Sequence, residues 1–221
     1  MPSDEPILLD VFADVACPWC YIGHKRLRRA LADRDPAAPA VAVRHRAFQL
    51  QPDMPVDGEP TAEFFARRFG DAETVRGMHD RVQQAPAEDD IAFDFEHMPK
   101  APNTLLAHRA IALAREQDAE DVALAALYAA YFEQARDITQ ADVIVATLTE
   151  AGVPDPDAIA AGLAADGGEQ ATAADLALGA ELEVRGVPLF VGDGRFGLSG
   201  AQPVETLEQF FAHVADARAA A

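Results

Sequence analysis

Cys17 and Cys20 are the only cysteines in the chain, and they stand together as Cys17-Pro18-Trp19-Cys20. An apolar, strand-like run, Ile7 to Ala13, ends just before them, and a helix-like run, Tyr21 to Ala32, follows. Two thiols separated by two residues at a strand-to-helix turn can close into a disulfide and reopen, which points to redox chemistry. A purely structural bridge is the weaker reading, because closing so short a loop removes little entropy from the unfolded chain. A zinc site is also disfavoured: no second Cys pair completes four ligands, and the six histidines contain no closely spaced pair. No metal is therefore expected.

Helix geometry assigns the roles. Cys17 falls at or just before the first helical residue, where unpaired N–H groups and the helix dipole favour a thiolate. Pro18 suits the first turn, since the N–H it lacks would have no intrahelical partner there. Cys20 falls one turn further in, as a shielded resolving thiol. Cys17 is the expected nucleophile and Cys20 the resolver.

Asp10 and Asp14 precede the motif. Asp10 sits in the apolar strand, where burial would raise a carboxyl pKa. It is the candidate proton relay for Cys20, with capping or solvation of the loop as the role left for Asp14.

The segment Asp14-Val15-Ala16-Cys17-Pro18-Trp19-Cys20-Tyr21-Ile22-Gly23 resembles the DsbA-like thioredoxin-fold proteins of the FrnE branch. That branch is related to the 2-hydroxychromene-2-carboxylate isomerases and the kappa-class glutathione transferases. Phe48 to Pro55, Pro102-Asn103-Thr104-Leu105, Gly186 to Val191 and Ser199-Gly200-Ala201-Gln202 resemble further segments of the branch, in family order along nearly the whole chain. The resemblance implies an α/β, thioredoxin-like fold with a large all-helical insertion. It also implies a cis Val187-Pro188 bond facing the dithiol, with the Val187 backbone offered to an extended peptide or glutathione strand. Ser199 and the N–H groups after it would then bind a carboxylate, or simply begin a helix. Asp10 lies one residue farther from the first Cys than the acid of thioredoxin. Trp19 replaces the His of many DsbA proteins, which implies a less oxidising pair and an apolar substrate surface. The isomerases and kappa transferases typically carry Ser where this chain has Cys17, a departure that favours dithiol exchange.

The elements that must position these residues follow the same plan. Val41 to Phe48 reads as a second strand, with Val41, Val43, His45 and Ala47 on one face, so His45 is expected to be a structural, partly buried histidine. His24 and Lys25 are expected to be solvated. From Thr61 to about Ala165 the pattern is almost entirely helical, with Gly70 and Gly152 as stops, Asn103 capping a helix, and Thr139-Gln140-Ala141-Asp142 as a capping box. Glu169–Val184 reads as a helix, Leu189–Val191 and Arg195–Leu198 as a hairpin turned by Gly192-Asp193-Gly194, and Val204–Ala217 as the last helix. The expected division is residues 1–58 and 167–221 as the thioredoxin-like domain, with 59–166 as a helical lid.

Composition sets the outer bounds. The 221 residues are 50% hydrophobic, enough for a real core. With 37 acidic against 18 basic residues, the net charge of −19 argues against nucleic acid or anionic membrane surfaces as partners. The opening Met1-Pro2-Ser3-Asp4-Glu5-Pro6 is polar and acidic rather than a signal peptide, and no run approaches membrane-spanning length. A cytoplasmic location is expected. The expected activity is thiol–disulfide exchange with a protein or small-molecule substrate, with no cofactor beyond glutathione as a co-substrate. Two alternatives are a glutathione-dependent isomerase or transferase acting on an aromatic or polyketide-like molecule, and a non-enzymatic partner-binding module.

Overall fold

Alternating apolar residues in Ile7–Ala13 make β1, the strand around which the sheet is built. The computed structural model describes residues 5–84 and 89–220. Residues 1–4 of the acidic opening, 85–88 of the helical block and residue 221 lie outside the described residues. β1 runs parallel to β2 (Val41–Ala47), with Ile7 opposite Val41 and Ala13 opposite Ala47. A parallel pair needs a long crossover, and α1 (Pro18–Ala32) supplies it. On its other side β1 is antiparallel to β5 (Leu189–Gly192), which pairs in turn with β6 (Phe196–Ser199). The order across the sheet is β2-β1-β5-β6. The β5–β6 turn places Asp193 and Gly194 at φ 52° and 65°, closed by Arg195 N–H donating to the Gly192 carbonyl at 3.0 Å. Two successive left-handed residues match the twist of a tight hairpin, and Gly194 takes that conformation without strain.

The two faces of the sheet carry different chemistry. Ile7, Leu9 and Val11 pack with Phe190, with Leu27 of α1, and with Leu207, Phe211 and Val214 of α9 (Val204–Ala219). Fully burying each such side chain contributes about 1.5–3 kcal/mol. On the other face Phe12 meets Gly179 of α8 (Glu169–Glu181) closely enough that a Cβ there would lie 3.5 Å from the ring.

Between β2 and α8 run β3 (Glu59–Pro60), α2 (Thr61–Phe69), α3 (Ala72–Gln84), β4 (Lys100–Ala101), α4 (Leu105–Arg115), α5 (Glu120–Phe132), α6 (Ala141–Glu150) and α7 (Pro156–Ala164). One core joins this helical stretch to the sheet: Ala13, Val15, Cys20 and Tyr21 are buried in the same cluster as Leu127, Tyr128, Phe132 and Ile144. The largest departure from the sequence reading is the β3–β4 pair, in which Glu59 stands opposite Ala101 and Pro60 opposite Lys100. A two-residue strand has no periodicity to detect. The expected capping box at Thr139 does not form: Thr139 Oγ1 donates to Asp137 at 2.6 Å, and Gln140 occupies the cap without a side-chain bond. The stronger nearby acceptor wins. Asn103 does serve the start of α4, accepting from Leu105 N–H at 3.0 Å. Among the described residues, no helix is long and apolar enough to cross a membrane.

Candidate active site

Cys17 caps α1 in an extended conformation (φ −97°, ψ 112°), and Pro18 is the first helical residue. The Cys17 carbonyl accepts from Cys20 N–H at 3.0 Å and Tyr21 N–H at 3.2 Å, which winds the first turn and brings the second cysteine over the first. No acidic side chain lies in that turn to oppose the positive end of the helix dipole. Both thiols are free, and both are buried, Cys17 with 4% and Cys20 with 1% of its surface exposed. Cys17 nonetheless borders a cavity of about 490 Å³, whereas Cys20 lies behind it in the core.

The two sulfurs differ in environment. Burial, then the hydrogen bond and charge of Cys17, push the Cys20 thiol well above its usual 9.0; the Asp14 backbone N–H partly opposes this. Cys20 therefore holds its proton at neutral pH. Close by is the Asp14 carboxylate, 1% exposed, whose charge acts on Cys20 and on the buried tyrosines Tyr128 and Tyr131. Its Oδ2 accepts from Leu50 N–H at 2.7 Å, its Oδ1 accepts from Ala16 N–H at 3.3 Å, and His108 Nε2 stands 3.5 Å from Oδ1.

Opposite the dithiol the Val187-Pro188 peptide bond is cis. The Cys17 thiol donates to the Val187 carbonyl at 3.8 Å. Pro188 is seated against α1 by Gly23, where a Cβ would come within 3.0 Å of the ring. Trp19, 39% exposed, stands on the rim of the cavity, whose far wall is Leu50, Met54, Phe64, Phe65, Phe69 and Met98. α2 and the chain around β3–β4 thus place an apolar surface across from Cys17.

The structure brings Cys17, Cys20, Trp19, Val187 and Pro188 to one place. It does not bring Asp10 there. Asp10 points to the α8 face of the sheet, where it accepts from Arg46 Nε at 2.7 Å, and Arg46 donates in turn to Asp175 at 2.7 Å. Asp14 is the buried carboxylate beside the dithiol, because the chain leaves β1 at Ala13 and turns inward. Ser199 ends β6, exposed and outside the cavity lining, and its carbonyl accepts from Gln202 Nε2 at 2.7 Å. α9 begins only after Pro203, so Ser199 is not at a helix amino terminus. His24 is buried rather than solvated, and meets His45 and Asp121 from β2 and α5. Nothing in the spacing along the chain signals that meeting, or Tyr128 beside the thiols.

Residues 8–212 match the DsbA-like thioredoxin domain, so the chain belongs to the DsbA-like thioredoxin-domain family. No curated protein shows a significant match to it. Among solved structures, a probable DsbA oxidoreductase from Streptomyces coelicolor is 29% identical with a TM-score of 0.82, over 94% of this chain and 89% of that one. The cytosolic disulfide reductase DsbM from Pseudomonas aeruginosa is 19% identical with a TM-score of 0.66, over 97% of this chain and 100% of that one; it has also been solved with GSH. A 2-hydroxychromene-2-carboxylate isomerase is 15% identical with a TM-score of 0.70, over 96% and 98%. The last two likenesses speak to the fold alone. The family match and these likenesses agree on the thioredoxin fold described above.

Proposed function

We propose that this protein is a thiol–disulfide oxidoreductase in which Cys17 and Cys20 exchange with a disulfide of a protein or small-molecule substrate. One observation carries the reading: Cys17 starts α1 at the edge of a cavity with its thiol against the Val187 carbonyl, and Cys20 is buried one turn behind. In the reducing direction, Cys17 as thiolate attacks one sulfur of the substrate disulfide, whose S–S bond breaks and releases the other sulfur as a thiolate. Cys20 then loses its proton and attacks Cys17 Sγ. The second substrate thiolate leaves, the Cys17–Cys20 disulfide forms, and two electrons have passed to the substrate. Two equivalents of an external thiol, such as glutathione, return the pair to the dithiol by way of a mixed disulfide and leave as their own disulfide. In this scheme Asp14, not Asp10, accepts the Cys20 proton.

Val187 offers a backbone edge for an extended substrate chain, Trp19 and the phenylalanines of α2 offer apolar surface, and residues 59–166 act as the lid over the groove. A reducing cytoplasm suits a dithiol that works as a reductant. Reduction of insulin disulfides with a thiol reductant tests the proposal: turnover by wild type should vanish in Cys17→Ser, and full activity in that variant would sink it.

The apolar cavity next to Cys17 favours one second reading, a glutathione-dependent isomerase or transferase for an aromatic substrate. That reading requires saturable glutathione binding beside Val187 and turnover that survives loss of Cys20. Calorimetry with glutathione and turnover by Cys20→Ser separate the two.

A further inference from the structure

Outside the cavity lining, three side chains from three elements converge. His24 lies on α1 one turn past Cys20, His45 on β2, and Asp121 in the first turn of α5. One nitrogen of each ring and a carboxylate oxygen all lie within 4.8 Å of one another. His24 Nε2 is 2.7 Å and His45 Nε2 3.5 Å from the same oxygen, Asp121 Oδ1. The His45 side chain is 6% exposed, and neither of its ring nitrogens has a hydrogen-bond partner. A buried imidazole left so is rare in native cores and calls for a ligand or another cause.

We propose that His24, His45 and Asp121 form a binding site for a borderline divalent transition metal, of the class of Zn²⁺. Two imidazoles and one carboxylate are the donors of open, three-ligand zinc sites, in which water or a ligand takes the fourth position. Bonds of about 2.1 Å in a tetrahedral site give ligand–ligand edges of roughly 3.4 Å, close to the 3.5 Å between His45 Nε2 and Asp121 Oδ1. The ion would replace the hydrogen bond between His24 and Asp121 and satisfy the bare His45 Nε2.

Access comes through Asp121, whose side chain is 48% exposed and borders an open cleft with Arg28, Val43 and Arg44. Arg28 Nε holds the other carboxylate oxygen, at 3.4 Å, and leaves Oδ1 to the rings. Arg115, on the same cleft, is already paired with Glu120 and Asp175. With no thiolate in the donor set, the site suits Zn²⁺, Ni²⁺ or Co²⁺ over Cu⁺. Occupied, it would tie the helix that carries the dithiol to β2 and to α5.

The test must silence Cys17 and Cys20, which are rival zinc ligands. Metal-free Cys17→Ser/Cys20→Ser protein is titrated with Zn²⁺ by calorimetry and with Co²⁺ by absorption, in salt that suppresses weak binding to surface carboxylates. The expected result is one saturable Zn²⁺ site and a Co²⁺ spectrum without thiolate charge transfer. His45→Gln and Asp121→Asn, each added to that background, should weaken Zn²⁺ at least tenfold. Asp121→Asn changes a half-exposed residue and keeps the test valid if His45→Gln does not fold. Absence of a saturable site, or a site that neither substitution weakens, would overturn the proposal.

Discussion

The Gly23 Cα carries no side chain where the Pro188 ring lies against α1, and a Cβ there would sit 3.0 Å from Pro188 Cγ. That close approach sets the distance between the helix that bears the thiols and the backbone at Val187. Gly23→Val should force the two apart, lowering stability by about 1–3 kcal/mol in denaturant unfolding. It should also reduce kcat/KM for a disulfide substrate several-fold while Cys17 remains titratable by a thiol reagent. Gly23→Ala should show the same changes in smaller measure. Unchanged kinetics in a destabilised Gly23→Val would show that the Pro188 contact serves packing alone.

Asp14 and Asp10 separate proton transfer from stability. Asp14 lies beside Cys20, so Asp14→Asn should slow the resolving step by roughly 10²-fold, the usual worth of a positioned acid–base group. Mixed disulfide should accumulate during turnover of the variant. Asp10 is paired with Arg46 on the α8 face, and Asp10→Asn should lower stability while leaving the resolving rate within about twofold of wild type. Rapid quench and mass analysis of both variants measure it; a slow Asp10→Asn with a fast Asp14→Asn would reverse the assignment.

Alkaline pH should destabilise the dithiol form. Burial raises Cys20 above its usual 9.0 and Tyr128 above its usual 10.0. Above those ordinary values the unfolded chain releases protons that the folded chain keeps, so stability falls as pH rises. The contribution is whole below about pH 9 and is lost as pH climbs toward the folded-state values. Urea unfolding from pH 7 to 11 checks the slope, and Cys20→Ala should reduce it. A stability that rises across this range would contradict the assigned burial of both groups.

The sequence and the structure agree where signals are local. The alternation of β1, the Pro18 start of α1, the Asp193-Gly194 turn and the caps at Asn103 and Gly70 can each be read from a few neighbouring residues. The dithiol and its partner at Val187-Pro188 were legible through motif order. What was missed depends on contacts distant in sequence. Asp10 looked buried because its strand is apolar, yet Arg46 on the neighbouring strand holds its carboxylate on the other face of the sheet. Asp14 looked like a loop residue, yet the turn after β1 carries it into the core. His24, His45 and Asp121 come from three elements and meet only once α1, β2 and α5 pack.

Trapping by Cys20→Ser tests the central claim most directly. Incubated with a disulfide-bearing peptide and then alkylated, the variant should carry one peptide in disulfide linkage to Cys17, seen by intact mass and located by peptide mapping. Wild type under the same conditions should show little adduct and an accumulating Cys17–Cys20 disulfide. If Cys20→Ser forms no adduct, or turns over the disulfide as fast as wild type, then Cys17 is not the attacking thiol and Cys20 is not its resolver.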